Sequence, residues 1–215
     1  MSADALPRTS FSRGFSLLEL IVVVAIISLL IMLIAPVTNQ VLQASRLSGA
    51  AANLANELNS ARMLAIRLNQ PVEVRFLQYT DRESPAAQPA YRAYQIWVNG
   101  SPRENIVALE AGVIFSTMKS GSGEAWSSIF DSQANAQGAD QSLPAGFDIP
   151  RATDLKSARN SFFQFRPDGS TNLPGNQQWT LTLLHEKDSA CTDLPPNFVS
   201  IVIDPLNGRV RTLNP

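Results

Sequence analysis

One carboxylate, Glu19, stands in a run from Leu17 to Ala35 whose only other polar residue is Ser28. In bilayer hydrocarbon such a group costs about 2.5–3.5 kcal/mol on insertion scales, which makes it a functional candidate by default. The plainer reading is a carboxylate at a helix N-terminus, favoured by the dipole and able to reach the interface. A second candidate is Gly208-Arg209-Val210-Arg211. On a strand, Arg209 and Arg211 project from one face about 7 Å apart, and each planar guanidinium suits a phosphate. The competing reading is an edge strand after the Asn207-Gly208 turn, whose charges discourage edge-to-edge pairing.

The other reactive residues lack company. His185 is the sole histidine, and His185-Glu186-Lys187-Asp188 reads as a solvated hairpin end. Cys191, the sole cysteine, reads as a quiet loop thiol, since a catalytic thiol needs a histidine beside it in space. Asp168, Asp193 and Asp204 match no calcium-loop spacing, and no glycine-rich phosphate loop is present. A soluble enzyme therefore fails for want of parts, and neither a metal nor a cofactor is expected.

The elements that position these residues begin with the apolar run. Its 19 residues form a helix about 28 Å long, enough to cross a bilayer core. That is longer than a signal-peptide core, and no small-residue exit follows Pro36. Arg8 and Arg13 precede it, which puts the N-terminus on the cytoplasmic side and the remainder outside. Apolar residues then recur at steps of three and four, from Val37, Val41, Ala44, Leu47 and Ala51 through Leu54, Leu58, Ala61, Ala65 and Leu68. The pattern predicts one helix of roughly 54 residues, about 80 Å long, ending at Asn69-Gln70-Pro71 and kinked at Pro36.

The remaining chain reads as strands: Val72–Tyr79, Tyr91–Val98, Val113–Met118, Ser161–Arg166, Trp179–Leu184, Phe198–Asp204 and Arg209–Leu213. Lys119–Gly146 reads as a loop insertion with one short helix near Ala125–Asp131. A helix followed by antiparallel strands that pack on it is an α+β domain. Hydrophobic residues at 45% and charged residues at 16% exclude disorder. A net charge of −1 gives no overall pull toward nucleic acid, so any such binding needs a local patch.

Arg13-Gly14-Phe15-Ser16-Leu17-Leu18-Glu19-Leu20, followed by the apolar helix, resembles the N-terminus of type IV prepilin-like proteins. The resemblance implies cleavage by a membrane-embedded prepilin peptidase between Gly14 and Phe15, and methylation of the new Phe15 amine. Glu19 would pair with that amine, of its own chain or of a neighbouring subunit, and a kink at Pro36 is likewise implied. Ser60–Val74 resembles the helix-to-strand junction of H-type minor pseudopilins (GspH/FimT-like). Phe165-Arg-Pro-Asp-Gly169 and Ile203–Arg211 resemble their C-terminal strands. Phe165–Leu173, Gln177–Trp179 and Asn197–Leu213 are similar also to the Verru_Chthon cassette protein D pilin-like family.

The resemblance implies a leader at 1–14, a transmembrane helix at 15–36, its amphipathic continuation at 37–69 and an extracytoplasmic antiparallel β domain at 70–215. Its H-type fold is a long helix on two antiparallel sheets. The implied role is a minor pilin or pseudopilin of a type II secretion pseudopilus or a type IV pilus. It would be a single-pass protein of the bacterial inner membrane and a filament subunit after assembly. Its partners would be other pilin subunits, the peptidase and an inner-membrane assembly platform. Two alternatives stay open: a DNA- or ligand-binding minor pilin using Arg209 and Arg211, and a bitopic membrane protein that forms no filament.

Overall fold

The computed structural model describes residues 16–82, 88–118, 126–143, 149, 152–153, 158–191 and 193–213, with the side chains of 33–40 left out. In chain order the elements are α1 (Leu17–Leu68), β1 (Val72–Tyr79), β2 (Ala90–Val98), β3 (Ser101–Pro102), β4 (Val107–Ala108), β5 (Val113–Ser116), β6 (Trp126–Ser128), β7 (Gln141–Ser142), β8 (Arg159–Phe165), β9 (Gln178–His185), a 3₁₀ turn (Glu186–Asp188), β10 (Val199–Ile203) and β11 (Val210–Leu213). The chain divides into two compact units, Met1–Leu42 and Gln43–Pro215.

Helix α1 runs for 52 residues. It stops where Asn69 takes a left-handed backbone (φ 53°) and the Gln70 amide donates to the Ala65 carbonyl. This closes the last turn before Pro71 ends any continuation. The helical assignment includes Pro36, but the expected kink there lies outside the described side chains. In the second unit Leu47, Ala51, Leu54, Leu58, Ala61 and Ala65 are buried at spacings of four and three, one seam laid on the sheet. The sequence stripe starts earlier, at Val37. Val41 and Ala44 are instead exposed, because the buried cluster on that seam begins only at Leu47.

The strands form one sheet in the order β11-β10-β9-β5-β2-β1-β8-β7. Its two halves, β1-β2-β8 and β5-β9-β10-β11, meet at the single pair Tyr91↔Phe115. All the neighbours in that path are antiparallel, and β6 alone runs parallel, beside β9. Alternation sets the faces. Val72, Val74 and Phe76 of β1, Phe163 and Phe165 of β8, and Leu181, Leu183, Ile201 and Ile203 join the helix seam in the main core. There Phe76 meets Phe115 edge-on at 5.1 Å, and Tyr91 stacks on Phe130 at 4.1 Å. On the opposite face of β1, Arg75 lies over the Trp97 ring at 4.1 Å and pairs with Glu73 at 2.7 Å. Farther along that face, past the irregularity at Leu77/Gln78, a smaller core joins Leu77, Tyr79, Ala93, Ile149, Ala152 and Ala158.

Two expectations are corrected here. No helix forms at 126–131: Trp126–Ser128 is β6, held beside β9 by the Thr180 hydroxyl donating to the Ser127 carbonyl. Nor is the described part of 119–146 a mere surface loop. Ile129 and Phe130 enter the core, and buried Asn135 donates to the carbonyls of Ile129 and Phe162. Polar composition hides this, because few apolar side chains do the anchoring while backbone hydrogen bonds do the rest.

The helix is also fastened to two turns. The Arg62 Nε–H is shared between the carbonyls of Gly169 (3.1 Å) and Asn207 (2.9 Å). Gly208 sits in the second turn at φ 63°, where an added Cβ would fall 2.2 Å from the Gly169 carbonyl oxygen. Gly100 has a similar φ of 72° but open space around it. Gly100→Ala is therefore expected to cost about 1–2 kcal/mol, the left-handed backbone term alone. Gly208→Ala is expected to cost at least about 1–3 kcal/mol more, from overpacking. Denaturant unfolding of the two variants beside the wild type measures the difference, and equal losses would refute the close-approach account.

Candidate functional site

The N-terminal candidate is a helix start. The first hydrogen bond of α1 runs from the Leu20 amide to the Ser16 carbonyl (3.1 Å), and Glu19 lies exposed in the first turn. A carboxylate there faces the unsatisfied amides and positive dipole end of the helix. Gly14 and Phe15 lie outside the described residues. From Leu17 to Met32 the large apolar side chains are exposed all round the helix, from 43% at Val23 to 80% at Met32. The one hydroxyl among them, Ser28, donates back to the Val24 carbonyl at 2.8 Å and leaves no polar face. Such a surface is stable only in lipid or among other apolar helices.

Among the described residues no helix is long and apolar enough to cross a membrane. Residues 17–32 supply about 24 Å of helix, short of the roughly 30 Å hydrocarbon core, and the sequence run continues to Ala35.

The C-terminal candidate lies at the free edge of the sheet. Arg211 pairs opposite Val202, while Val210 pairs opposite Ile203 and packs on the main core. Arg209 precedes β11 rather than lying on it. Its amide donates to the Asn207 side chain (2.8 Å) and its carbonyl accepts from the Asp204 amide (3.0 Å). Both arginines are exposed, and neither makes an ion pair among the described residues. The neighbouring turn carries Asp168, which accepts from the Ser170 hydroxyl (2.6 Å) and amide (2.9 Å). Those bonds hold its carboxyl below the usual range. The two arginines thus share their end of the domain with acidic turns.

The expected solvated end at His185 is corrected. His185 is buried at the end of β9, and only Lys187 of that run is fully exposed. Glu186 accepts from Arg92 at 2.6 Å. Beside this pair a cavity of about 530 Å³ opens where β2 and β5 part, and exposed Cys191 stands on its rim. Among the described residues no group of three His, Cys, Asp or Glu side chains is placed to hold a metal ion. Across the main core, burial raises the Tyr94 hydroxyl to about 12, with Glu57 and Glu104 adding to the effect.

Sequence reasoning missed Arg62, whose place on the polar face of an amphipathic helix looks like ordinary solvation. It missed also the buried hydrogen-bonding role of His185.

Residues 50–197 match the family Type II transport protein GspH, and residues 10–35 match the Prokaryotic N-terminal methylation motif. The chain belongs to the GspH family. It is a pilin-type subunit, a minor pseudopilin or pilin, and these families are structural rather than enzymatic. Membership brings association with other pilin subunits and with secretion machinery, and the N-terminal motif goes with anchoring through the first helix. No curated protein and no solved structure matches.

If Arg209 and Arg211 grip nucleic acid, duplex binding at low salt should weaken in Arg209→Ala/Arg211→Ala, and its log–log salt slope should flatten by about 1.8. With both side chains on an edge beside acidic turns, the expected outcome is no difference between variant and wild type. Fluorescence anisotropy on the full chain in detergent decides it.

Proposed function

We propose that this GspH-family chain is made as a prepilin and works in a type II secretion pseudopilus. A prepilin peptidase removes residues 1–14 and methylates the Phe15 amine. The mature helix then holds the chain in the inner membrane as a single span, with the domain from residue 70 outside the cytoplasm. Assembly on an inner-membrane platform moves the helix from lipid into a bundle of like helices. The observation that carries this reading is an apolar helix exposed all round, with one carboxylate in its first turn, joined to a GspH-type domain.

The physics of each step follows from that helix. Exchange of lipid for neighbouring helices leaves the apolar balance nearly unchanged, so a specific polar contact must choose the register. Glu19 is the charged group of the run able to do so, and the cationic Phe15 amine of a neighbouring subunit is its complement. A glycine at 14 lets a protease approach the backbone closely. The likeness of Phe165–Leu173 and Asn197–Leu213 to the Verru_Chthon cassette protein D family supports the same pilin-type role in a different setting, a type IV pilus being the alternative machine.

Mass spectrometry of the chain from its native membrane should find an N-terminus at Phe15 carrying one methyl group. Gly14→Val should retain the leader. A mature Phe15 end in that variant would overturn the processing account. Glu19→Ala should insert and be cleaved at normal abundance, yet enter sheared filaments at about a tenth of the wild-type level or less, since truncating one member of a buried ion pair is costly. Equal incorporation would overturn the pairing role.

A further inference from the structure

His185 is the single histidine of the chain, and both of its ring nitrogens face peptide carbonyls. Nδ1 stands 3.2 Å from the Gly112 oxygen, in the turn between β4 and β5. Nε2 stands 3.1 Å from the Gln43 oxygen on α1. Carbonyls only accept. The Gly112 oxygen already takes the Glu186 amide at 2.9 Å, and the Gln43 oxygen takes its own helical amide, so each offers its second lone pair to the ring. A neutral imidazole has one N–H. It fulfils one contact and sets lone pair against lone pair at the other, whereas the imidazolium donates at both.

We infer that His185 is a proton-linked latch on helix α1. With both nitrogens protonated, it ties Gln43 to the β4–β5 turn, one helical turn before the buried seam opens at Leu47. On loss of a proton the Gln43 side lets go. The Gly112 oxygen is fixed by the Glu186 amide and by the Val113↔His185 pairing, whereas outside its own helix Gln43 is gripped otherwise, among the described residues, by Lys187 Nζ on its exposed side-chain amide (2.9 Å). The latch therefore sets whether the docked part of α1 begins at Gln43 or at Leu47.

The charged residues on the elements around the ring are Arg46 on α1, Glu110 in the β4–β5 turn, and Lys187 and Asp188 after β9, while Glu186 is already paired with Arg92 of β2. Arg46, Glu110 and Lys187 are exposed and screened, while the two carbonyls touch the ring directly.

The test uses the full-length chain in detergent micelles, labelled with ¹⁵N. One sample yields both the ring titration, from the two side-chain nitrogens, and amide exchange protection over Gln43–Leu47, corrected for the intrinsic effect of pH. Protection there should be about threefold to tenfold higher with the ring doubly protonated, the worth of one hydrogen bond. It should follow the ring's own titration curve, while protection in β1 stays level. His185→Gln, which keeps a donor but does not titrate, should lose the pH dependence. Protection independent of the ring's protonation in the wild type overturns the latch, whether or not the variant folds. So does the same pH dependence in both proteins.

Discussion

The seam from Leu47 to Ala65 combines leucines and alanines at steps of four and three, and the rest of the domain is arranged around it. Its leucines and alanines share one buried core with Phe163, Phe165 and Trp179 of the sheet. That seam lies wholly within the second unit, and none of the residues described from Leu17 to Met32 belongs to it. Exposure of every large apolar residue described from Leu17 to Met32 follows from that constraint. One helix must satisfy two environments, its own sheet at the C-terminal end and lipid or other subunits at the N-terminal end.

Around the seam, directional contacts do what apolar burial cannot. Arg62 reaches out of the helix to the carbonyls of Gly169 and Asn207, tying two turns that lie far apart in sequence. Gly208 makes this possible, since any side chain would collide with the Gly169 carbonyl. Asn135 does similar work on the far side, where it docks the polar insertion against β8. The two halves of the sheet share only the Tyr91↔Phe115 pair, so the aromatic cluster of Phe76, Phe115 and Phe130 carries the continuity of the core beneath that junction.

For a subunit that works by assembly, this division of labour is the mechanism. Glu19 lies in the first turn of the helix, and the sheet carries the buried seam of its docked part. His185 and Lys187 grip Gln43, where the compact domain begins.

Periodicity in the sequence determined α1 almost to the residue and seven of the strands, because a 3.6-residue stripe and alternating β-branched runs are local signals. Glu19 was legible because a lone charge in an apolar run is anomalous without any structure. The sequence could not show where the buried seam starts, since Val41 and Leu47 carry the same local signal and only the position of the sheet separates them. It could not show that Trp126–Ser128 runs beside β9, that His185 is buried, or that Arg62 spans two turns. Each of these depends on partners 53 to 145 residues away, and hydrogen bonds across such distances leave no trace in spacing or composition.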